Sequence, residues 1–227
     1  MDIEGERHEG KFILFDVTST APGQKRKRIL DAMRGLAIIL MVIDHALSAL
    51  ESIGLNNDIV EYSRLTFTRF SMPLFMVASG IVWGLYGLKF RRWIEVFALA
   101  VLLNAMLRLL WPDFNFPEIL MVWALLAIAW KLIVRYPIIT MIIGYTQMMY
   151  WQISWQGFQP GELAIFLGAG VILSKFSLDW IWRERRTTKF LEPLALVGRY
   201  PLTIYGGHLA LLALLVAAAN NQLTSLI

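Results

Sequence analysis

Residues 28–50 read RILDAMRGLAIILMVIDHALSAL, and they decide the fold. The stretch has the length of about 20 residues that a helix needs to cross a bilayer, yet it carries ionisable side chains. At about 100° per residue, the eleven steps from Arg34 to His45 leave an offset of about 20°, so both lie on one face, about 16 Å apart along the axis. Asp31 lies within reach of Arg34, and we expect an ion pair. Asp44 lies about 100° from His45, at the edge of this polar face.

The composition of the whole chain is that of a membrane protein. Of the 227 residues, 57% are hydrophobic and 17% are charged, whereas an average globular domain has about 45–50% and about 25%. These values exclude a disordered, a fibrous and a soluble secreted protein. Cysteine is absent, which excludes a disulfide framework, a thiolate metal site and a cysteine nucleophile. The net charge of +4 is compatible with nucleic acid, but the placement of the charges favours a membrane and no nucleic-acid partner.

Seven stretches are long and apolar enough to predict membrane-spanning helices. They are residues 30–50, 66–88, 93–111, 117–134, 136–152, 161–178 and 194–217. Only Arg135 separates the fourth stretch from the fifth, and Pro137 indicates a turn there. Six and eight spans remain alternatives. The predicted fold class is an all-α, polytopic membrane helix bundle.

The basic residues of the predicted loops orient this bundle. Lysine and arginine cluster before the first span and after the second, fourth and sixth spans, whereas residues 51–63, 112–116, 153–160 and 218–227 contain neither. Because basic loops stay in the cytoplasm, the pattern predicts a cytoplasmic N-terminus and an outer C-terminus. The chain then divides into a cytosolic tail with a basic run (1–28), a transmembrane domain (29–218) and a short outer tail (219–227).

Ionisable residues at membrane depth are the candidates for function, because they are costly there and usually face a cavity or the bundle interior. The candidates are Asp31, Arg34, Asp44 and His45 in the first span, Arg69 in the second, Glu95 and Arg108 in the third, and Arg199 and His208 in the last. In the last span Tyr205 and His208 share a face, whereas Arg199 lies on the opposite side of a straight helix. Pro201 permits a bend that would change this arrangement.

Each candidate also has a purely structural interpretation. Asp31 and Arg34 could be an ion pair that reaches the membrane interface. Glu95 could simply pair with Arg91 or Arg92. Arg69 and Arg108 could lie at the outer interface, and the histidines could be satisfied core residues.

Three segments carry a family resemblance. They are the spacing of Arg34, ten residues and His45 in the first span, TRFSMPLFMVASG at 68–80, and GRYPLTIYGGH at 198–208. Together they resemble the first, second and last helices of the heparan-alpha-glucosaminide N-acetyltransferase-like membrane proteins and of the wider acyltransferase family 3. In that family the second helix has an Arg…Pro-x-Phe…Gly pattern, and the last has a Gly-Arg-x-Pro-Leu…Tyr…His pattern.

The resemblance implies a membrane-bound O- or N-acyltransferase, placed in the plasma (inner) membrane of a prokaryote. Its donor would be cytosolic acetyl-CoA, and its acceptor a hydroxyl or amine of a glycan or similar molecule at the outer face. The implied partners are the bilayer, acetyl-CoA and this acceptor, with a homodimer as a further option. No metal is expected.

The resemblance also suggests roles for residues. His45 would take the proton of the acceptor as a base, or carry the acetyl group as a nucleophile. Asp44 would act through its charge, Arg69 would stabilise the oxyanion or position the acceptor, and His208 is a second-choice base.

The acetyl-CoA site would include Arg34, Arg199 and Tyr205, because arginine suits the anionic phosphates of CoA. Asp31 would support Arg34 as its ion-pair partner. The competing interpretation is a small non-enzymatic transporter that uses Asp31, Arg34 and His45 as a proton or anion pathway. A purely structural subunit is a third alternative.

Overall fold

The structure, a computed structural model, describes residues 28–52, 58–110, 119–150, 159–176 and 191–224. Within these ranges the chain forms nine α-helices and no strand, so the all-α fold class is confirmed. The helices are α1 (Arg28–Ser52), α2 (Asp58–Tyr86), α3 (Phe90–Leu110), α4 (Ile119–Ile128), α5 (Trp130–Arg135), α6 (Pro137–Tyr150), α7 (Pro160–Lys175), α8 (Glu192–Arg199) and α9 (Pro201–Thr224).

Several predicted segments lie outside the described residues. These are the tail up to residue 27, the loops at 112–116 and 153–158, and the basic loop at 177–190. Helix α9 continues to Thr224, and it therefore includes most of the predicted outer tail. The side of the membrane on which each loop lies stays a prediction.

Five predicted spans correspond to one helix each, and the other two are divided. The span 117–134 is broken at Ala129, whose amide donates to the Leu126 carbonyl at 3.0 Å, three residues back. Such a bond tightens the helix into a 3₁₀ turn, so the prediction of a single helix is wrong here. The predicted turn after it is confirmed, because α5 ends at Arg135 and α6 begins at Pro137.

The span 194–217 is likewise two helices, α8 and α9, whose axes are bent by 79°. Pro201 has no backbone N–H and its ring would clash with the preceding turn, so a straight helix cannot continue through it. The amide of Tyr200 instead donates to the Val197 carbonyl at 3.2 Å. The bend that Pro201 permitted is therefore present, and the prediction of one helix over this span is wrong.

One helix among the described residues is long and apolar enough by itself to cross a membrane, namely Arg28–Glu51 within α1. The bent pair Glu192–Arg199 and Pro201–Val216 passes the same test of length and composition only when both parts are taken together. Helix α4 is apolar but has only 10 residues. The seven-span topology therefore stays a prediction.

Helix α1 makes the contacts that position the candidate site. It packs against α2, α8 and α9, while α2 packs against α7, and α3 against α4 and α9. Met76 and Trp83 of α2 share one hydrophobic core with Leu167 of α7 and Trp123 of α4. The Trp83 and Trp123 rings meet edge to face at 5.2 Å. Met41 of α1 and Tyr205 of α9 belong to the same core, so it joins α1 and α9 to α2 and its neighbours.

Two buried glycines bring α1 and α8 into backbone contact. A Cβ atom on Gly35 would overlap the Leu194 carbonyl, and one on Gly198 would overlap the Asp31 carbonyl. Because the overlapped atoms belong to backbone, the helices would have to separate to admit a side chain. The contact therefore sets the register of α1 against α8 and, through the bend, against α9.

We expect Gly35→Ala to lower the free energy of unfolding by about 1–3 kcal/mol, the usual cost of overpacking. The measurement is thermal unfolding of the purified protein in detergent. Gly207→Ala is the matched control, because Gly207 is exposed on α9 and an added Cβ there meets nothing within 4 Å. Alanine has the higher helix propensity, so this control should unfold at the same temperature or a higher one. Wild-type stability of Gly35→Ala would contradict the close approach of the two helices.

Candidate active site

The arginine cluster is a group of ionisable side chains at the start of α1, the end of α2 and the start of α3: Asp31, Arg34, Tyr86, Arg92 and Glu95. Arg34 Nη1 lies 3.4 Å from Asp31 Oδ1, so the predicted ion pair is confirmed. Asp31 is only 3% exposed, whereas the Arg34 side chain is 18% exposed, so the pair is partly buried. Arg34 also interacts electrostatically with Tyr86 and Arg92. Two arginines from different helices are thus held near each other.

Glu95 offsets part of this positive charge. It accepts hydrogen bonds from Arg92 Nη1 at 3.3 Å and from Arg91 Nε at 3.1 Å. The predicted pairing of Glu95 is confirmed for both partners. Arg92 is therefore fixed by a carboxylate, while Arg91 remains mostly exposed.

The histidine pair consists of His45 on α1 and His208 on α9. His45 Nδ1 lies 2.8 Å from His208 Nε2, and the ring planes differ by 13°. His208 Nδ1 lies 3.0 Å from the Ile204 carbonyl oxygen of the preceding helical turn. The structure thus joins the two intramembrane histidines of the sequence analysis, which were predicted as separate candidates.

The Ile204 carbonyl determines the tautomers of the pair when both imidazoles are neutral. A carbonyl oxygen can only accept a hydrogen bond, so His208 Nδ1 must carry its proton. His208 Nε2 then holds the lone pair and accepts from His45 Nδ1. The lone pair of His45 must consequently lie on Nε2. The chain of two hydrogen bonds therefore identifies His45 Nε2 as the nitrogen that can take a proton.

Tyr205 completes the cluster around the two imidazoles. Its ring meets the His45 ring edge to face at 6.1 Å and the His208 ring at 5.3 Å. Tyr205 is only 4% exposed. The prediction that Tyr205 and His208 share a face is confirmed, and this face is the one that contacts α1.

The three remaining candidates for the reaction, Arg69, Arg199 and Asp44, differ in their exposure. Arg69 is exposed on α2, and Arg199 is exposed at the end of α8, before the bend. Asp44 is buried at 8% exposure. The roles of these three residues stay predictions.

The arginine cluster and the histidine pair lie at different positions along the axis of α1. Arg34 and His45 are eleven residues apart, which corresponds to about 16 Å of helix rise. Across the described ranges, no group of three or more His, Cys, Asp and Glu side chains could hold a metal ion. The arrangement is therefore a cationic region at one end of α1 and a pair of imidazoles beside a phenol towards the other.

These observations define an all-α protein in which an imidazole of the first described helix is hydrogen-bonded to an imidazole of the last. A sequence model of the family described as heparan-alpha-glucosaminide N-acetyltransferase, catalytic, matches residues 26–166, which is more than half of the chain. The protein belongs to this family, which places it among the acetyltransferases. No match was found among curated proteins, and none among solved structures. The matched part contains Arg34 and His45, whereas His208 lies beyond it.

The tautomers of the two histidines can be measured. In protein labelled with ¹⁵N in the imidazole rings, at a pH where both are neutral, we expect proton-bearing Nδ1 and proton-free Nε2 signals for His45 and His208. The His8→Ala variant removes the third histidine of the chain and simplifies the spectrum. In His208→Ala, His45 loses its acceptor and should show a mixture of tautomers. A proton on Nε2 of neutral His208 would contradict the assignment.

Proposed function

We propose that the protein is a multi-pass membrane acetyltransferase that uses acetyl-CoA and acetylates a hydroxyl or amine of an acceptor at the outer face. The family supplies the class of reaction. The observation that carries the proposal is the His45–His208 contact of 2.8 Å. This contact supports Nε2 as the nitrogen of His45 that accepts a proton. His45 belongs to α1, within the part of the chain that the family matches.

Apolar surfaces of the described helices support the membrane setting. The exposed face of α6 includes Ile138, Ile139, Ile142 and Ile143, and that of α9 includes Leu211, Leu214 and Leu215. These positions lie one helical turn apart, so each set forms one continuous stripe. Such stripes are unusual on a soluble monomer, whereas helices that face lipid require them.

The direction of the first and last helices supports an odd number of crossings. Asp31 of α1 touches Gly198 at the end of α8, and further along both segments His45 touches His208 of α9. The later residue of α1 thus contacts the later residue of the α8–α9 segment, so the two segments run in the same direction. Seven spans with the two ends on opposite sides require this relation.

The arginine cluster is our proposed site for the anionic part of acetyl-CoA. Arg34 and Arg92 come from different helices and are held close enough to interact electrostatically. Guanidinium groups bind phosphate with two hydrogen bonds in a plane, which suits the phosphates of CoA. By the distribution of basic loops this end of α1 faces the cytoplasm. The thioester arm of the donor would then extend along α1 towards His45.

The histidine pair supplies the proton transfer that the reaction needs. The acceptor oxygen or nitrogen attacks the thioester carbonyl carbon while His45 Nε2 takes its proton. The resulting His45 imidazolium still donates through Nδ1 to His208, whose lone pair stabilises it. When the intermediate collapses, the carbon–sulfur bond breaks and His45 returns the proton to the CoA thiolate. His208 acts in this scheme as the residue that orients His45.

The proposal predicts that His45→Ala loses acetyl transfer by about 10²–10⁴-fold, the usual contribution of a positioned base. The assay uses purified protein in detergent and acetyl-CoA labelled in the acetyl group, and it follows thioester loss together with label on the protein. Melting temperatures check that each variant is folded. His8→Ala is the matched control and should turn over like the wild type.

Three other outcomes are informative. Full activity of folded His45→Ala would remove His45 from the mechanism. Label that remains on wild-type protein without an acceptor, and is absent in His45→Ala, would make His45 the nucleophile instead of the base. Absence of both acetyl-CoA binding and turnover in folded wild-type protein would favour the transporter interpretation.

The donor site predicts a separate effect of Arg34→Lys. Lysine keeps the charge opposite Asp31, but it loses the planar fork that binds phosphate. We expect the KM for acetyl-CoA to rise by about tenfold, with kcat nearly unchanged, because one charge-assisted hydrogen bond contributes about 1.5–3 kcal/mol. Arg108→Lys, at an exposed arginine near the other end of the bundle, is the control. An unchanged KM in Arg34→Lys would exclude contact between Arg34 and the donor.

A further inference from the structure

The hydroxyl of Tyr205 is buried without a hydrogen-bond partner. Such groups are rare in folded proteins, because a buried polar atom loses its bonds to water and gains nothing in return. The other atoms of this kind in the described part of the chain are Trp123 Nε1, Gln147 Nε2 and Gln159 Oε1. Tyr205 differs from these residues because its ring packs against both members of the histidine pair.

The position of Tyr205 connects this hydroxyl with the proposed chemistry. Tyr205 lies one helical turn before His208 on α9, and its ring is edge-on to both imidazoles. Its aromatic ring fills the protein interior at 4% exposure, while the phenol O–H still needs an acceptor. A ligand atom that reaches His45 would enter the same small region and could provide that acceptor.

The geometry points to the acetyl thioester carbonyl as this acceptor, with Tyr205 as the residue that stabilises the oxyanion. This inference rests on the proposed function. When the acceptor attacks, a bond forms to the carbonyl carbon and the C=O π electrons move onto the oxygen. The Tyr205 hydroxyl donates to that oxygen and keeps its own proton throughout. As the carbonyl re-forms, the carbon–sulfur bond breaks and the thiolate takes the proton held by His45.

A neutral phenol is well suited to this task. Its hydrogen bond to a carbonyl oxygen becomes charge-assisted when the oxygen turns negative, so it strengthens as the transition state forms. A donor that is already oriented in a dry site needs no rearrangement at that moment. Arg69, the residue that the sequence analysis suggested for the oxyanion, is exposed. Tyr205 is the buried donor beside the imidazoles.

Tyr205→Phe tests the inference because it removes the hydroxyl alone. We expect kcat to fall by about 10²–10³-fold, the usual effect of removing one oxyanion donor, with a KM for acetyl-CoA within about twofold of the wild-type value, as expected for an interaction made only in the transition state. The melting temperature should stay equal or rise, since an unsatisfied hydroxyl is lost. Tyr200→Phe is the matched control, because Tyr200 is exposed and lies five residues earlier.

A second measurement observes the hydrogen bond directly. His45→Ala removes the base, so acetyl-CoA labelled with ¹³C at the carbonyl can be bound without reacting. Its infrared carbonyl band should lie at lower frequency than in solution, and the additional Tyr205→Phe change should return it to the solution value. A band that does not differ between the two proteins would overturn the inference.

The outcomes separate this inference from the proposed function. If wild-type protein transfers acetyl groups and Tyr205→Phe does so equally well, the role of Tyr205 is wrong and the acetyltransferase proposal stands. If wild-type protein neither binds nor uses acetyl-CoA, both are wrong. A Tyr205→Phe protein that melts well below the wild type would show that the hydroxyl has a structural partner, which also contradicts the inference.

Discussion

The backbone contact between α1 and α8 is the constraint on which the candidate site depends. Gly35 and Gly198 have no side chains to hold the helices apart, so the carbonyls of Asp31 and Leu194 come directly against them. This backbone contact determines the point along the axis of α1 at which α8 ends. After the 79° bend, α9 runs along the C-terminal half of α1. His208 meets His45 because the register has been set three helical turns earlier.

The site has two ends with different electrostatic character, and α1 connects them. At one end two arginines and two carboxylates form a charged cluster, which suits an anionic ligand held by direct hydrogen bonds. At the other end two imidazoles and a phenol form a cluster that carries no formal charge when both imidazoles are neutral. A thioester and the proton of an acceptor require such a neutral region, because a buried permanent charge there would compete with the charge that develops during reaction. In the proposed mechanism, one helix thus carries a residue for donor binding and a residue for proton transfer about 16 Å apart.

Much of the local structure follows from periodicity and local spacing. Helix α1, the Asp31–Arg34 pair and the pairing of Glu95 depend on residues three or four positions apart, and such contacts are properties of any α-helix. Hydropathy does not detect the break at Ala129, because apolar residues flank it directly on both sides and no proline or glycine lies in α4 or α5. Pro201 indicates a place where the helix can bend, but the angle of the bend depends on what α8 and α9 pack against.

The sequence by itself determined the all-α class, the helix that carries the polar face, and the family to which this face belongs. It also identified His45 and His208 as separate candidates. Only the tertiary structure decided that these two imidazoles share a hydrogen bond, because they lie 163 positions apart and no local periodicity relates residues at that distance. The tautomers of the pair and the unpartnered hydroxyl of Tyr205 were decided in the same way. They depend on which carbonyls and rings surround a side chain, and packing between helices determines those neighbours.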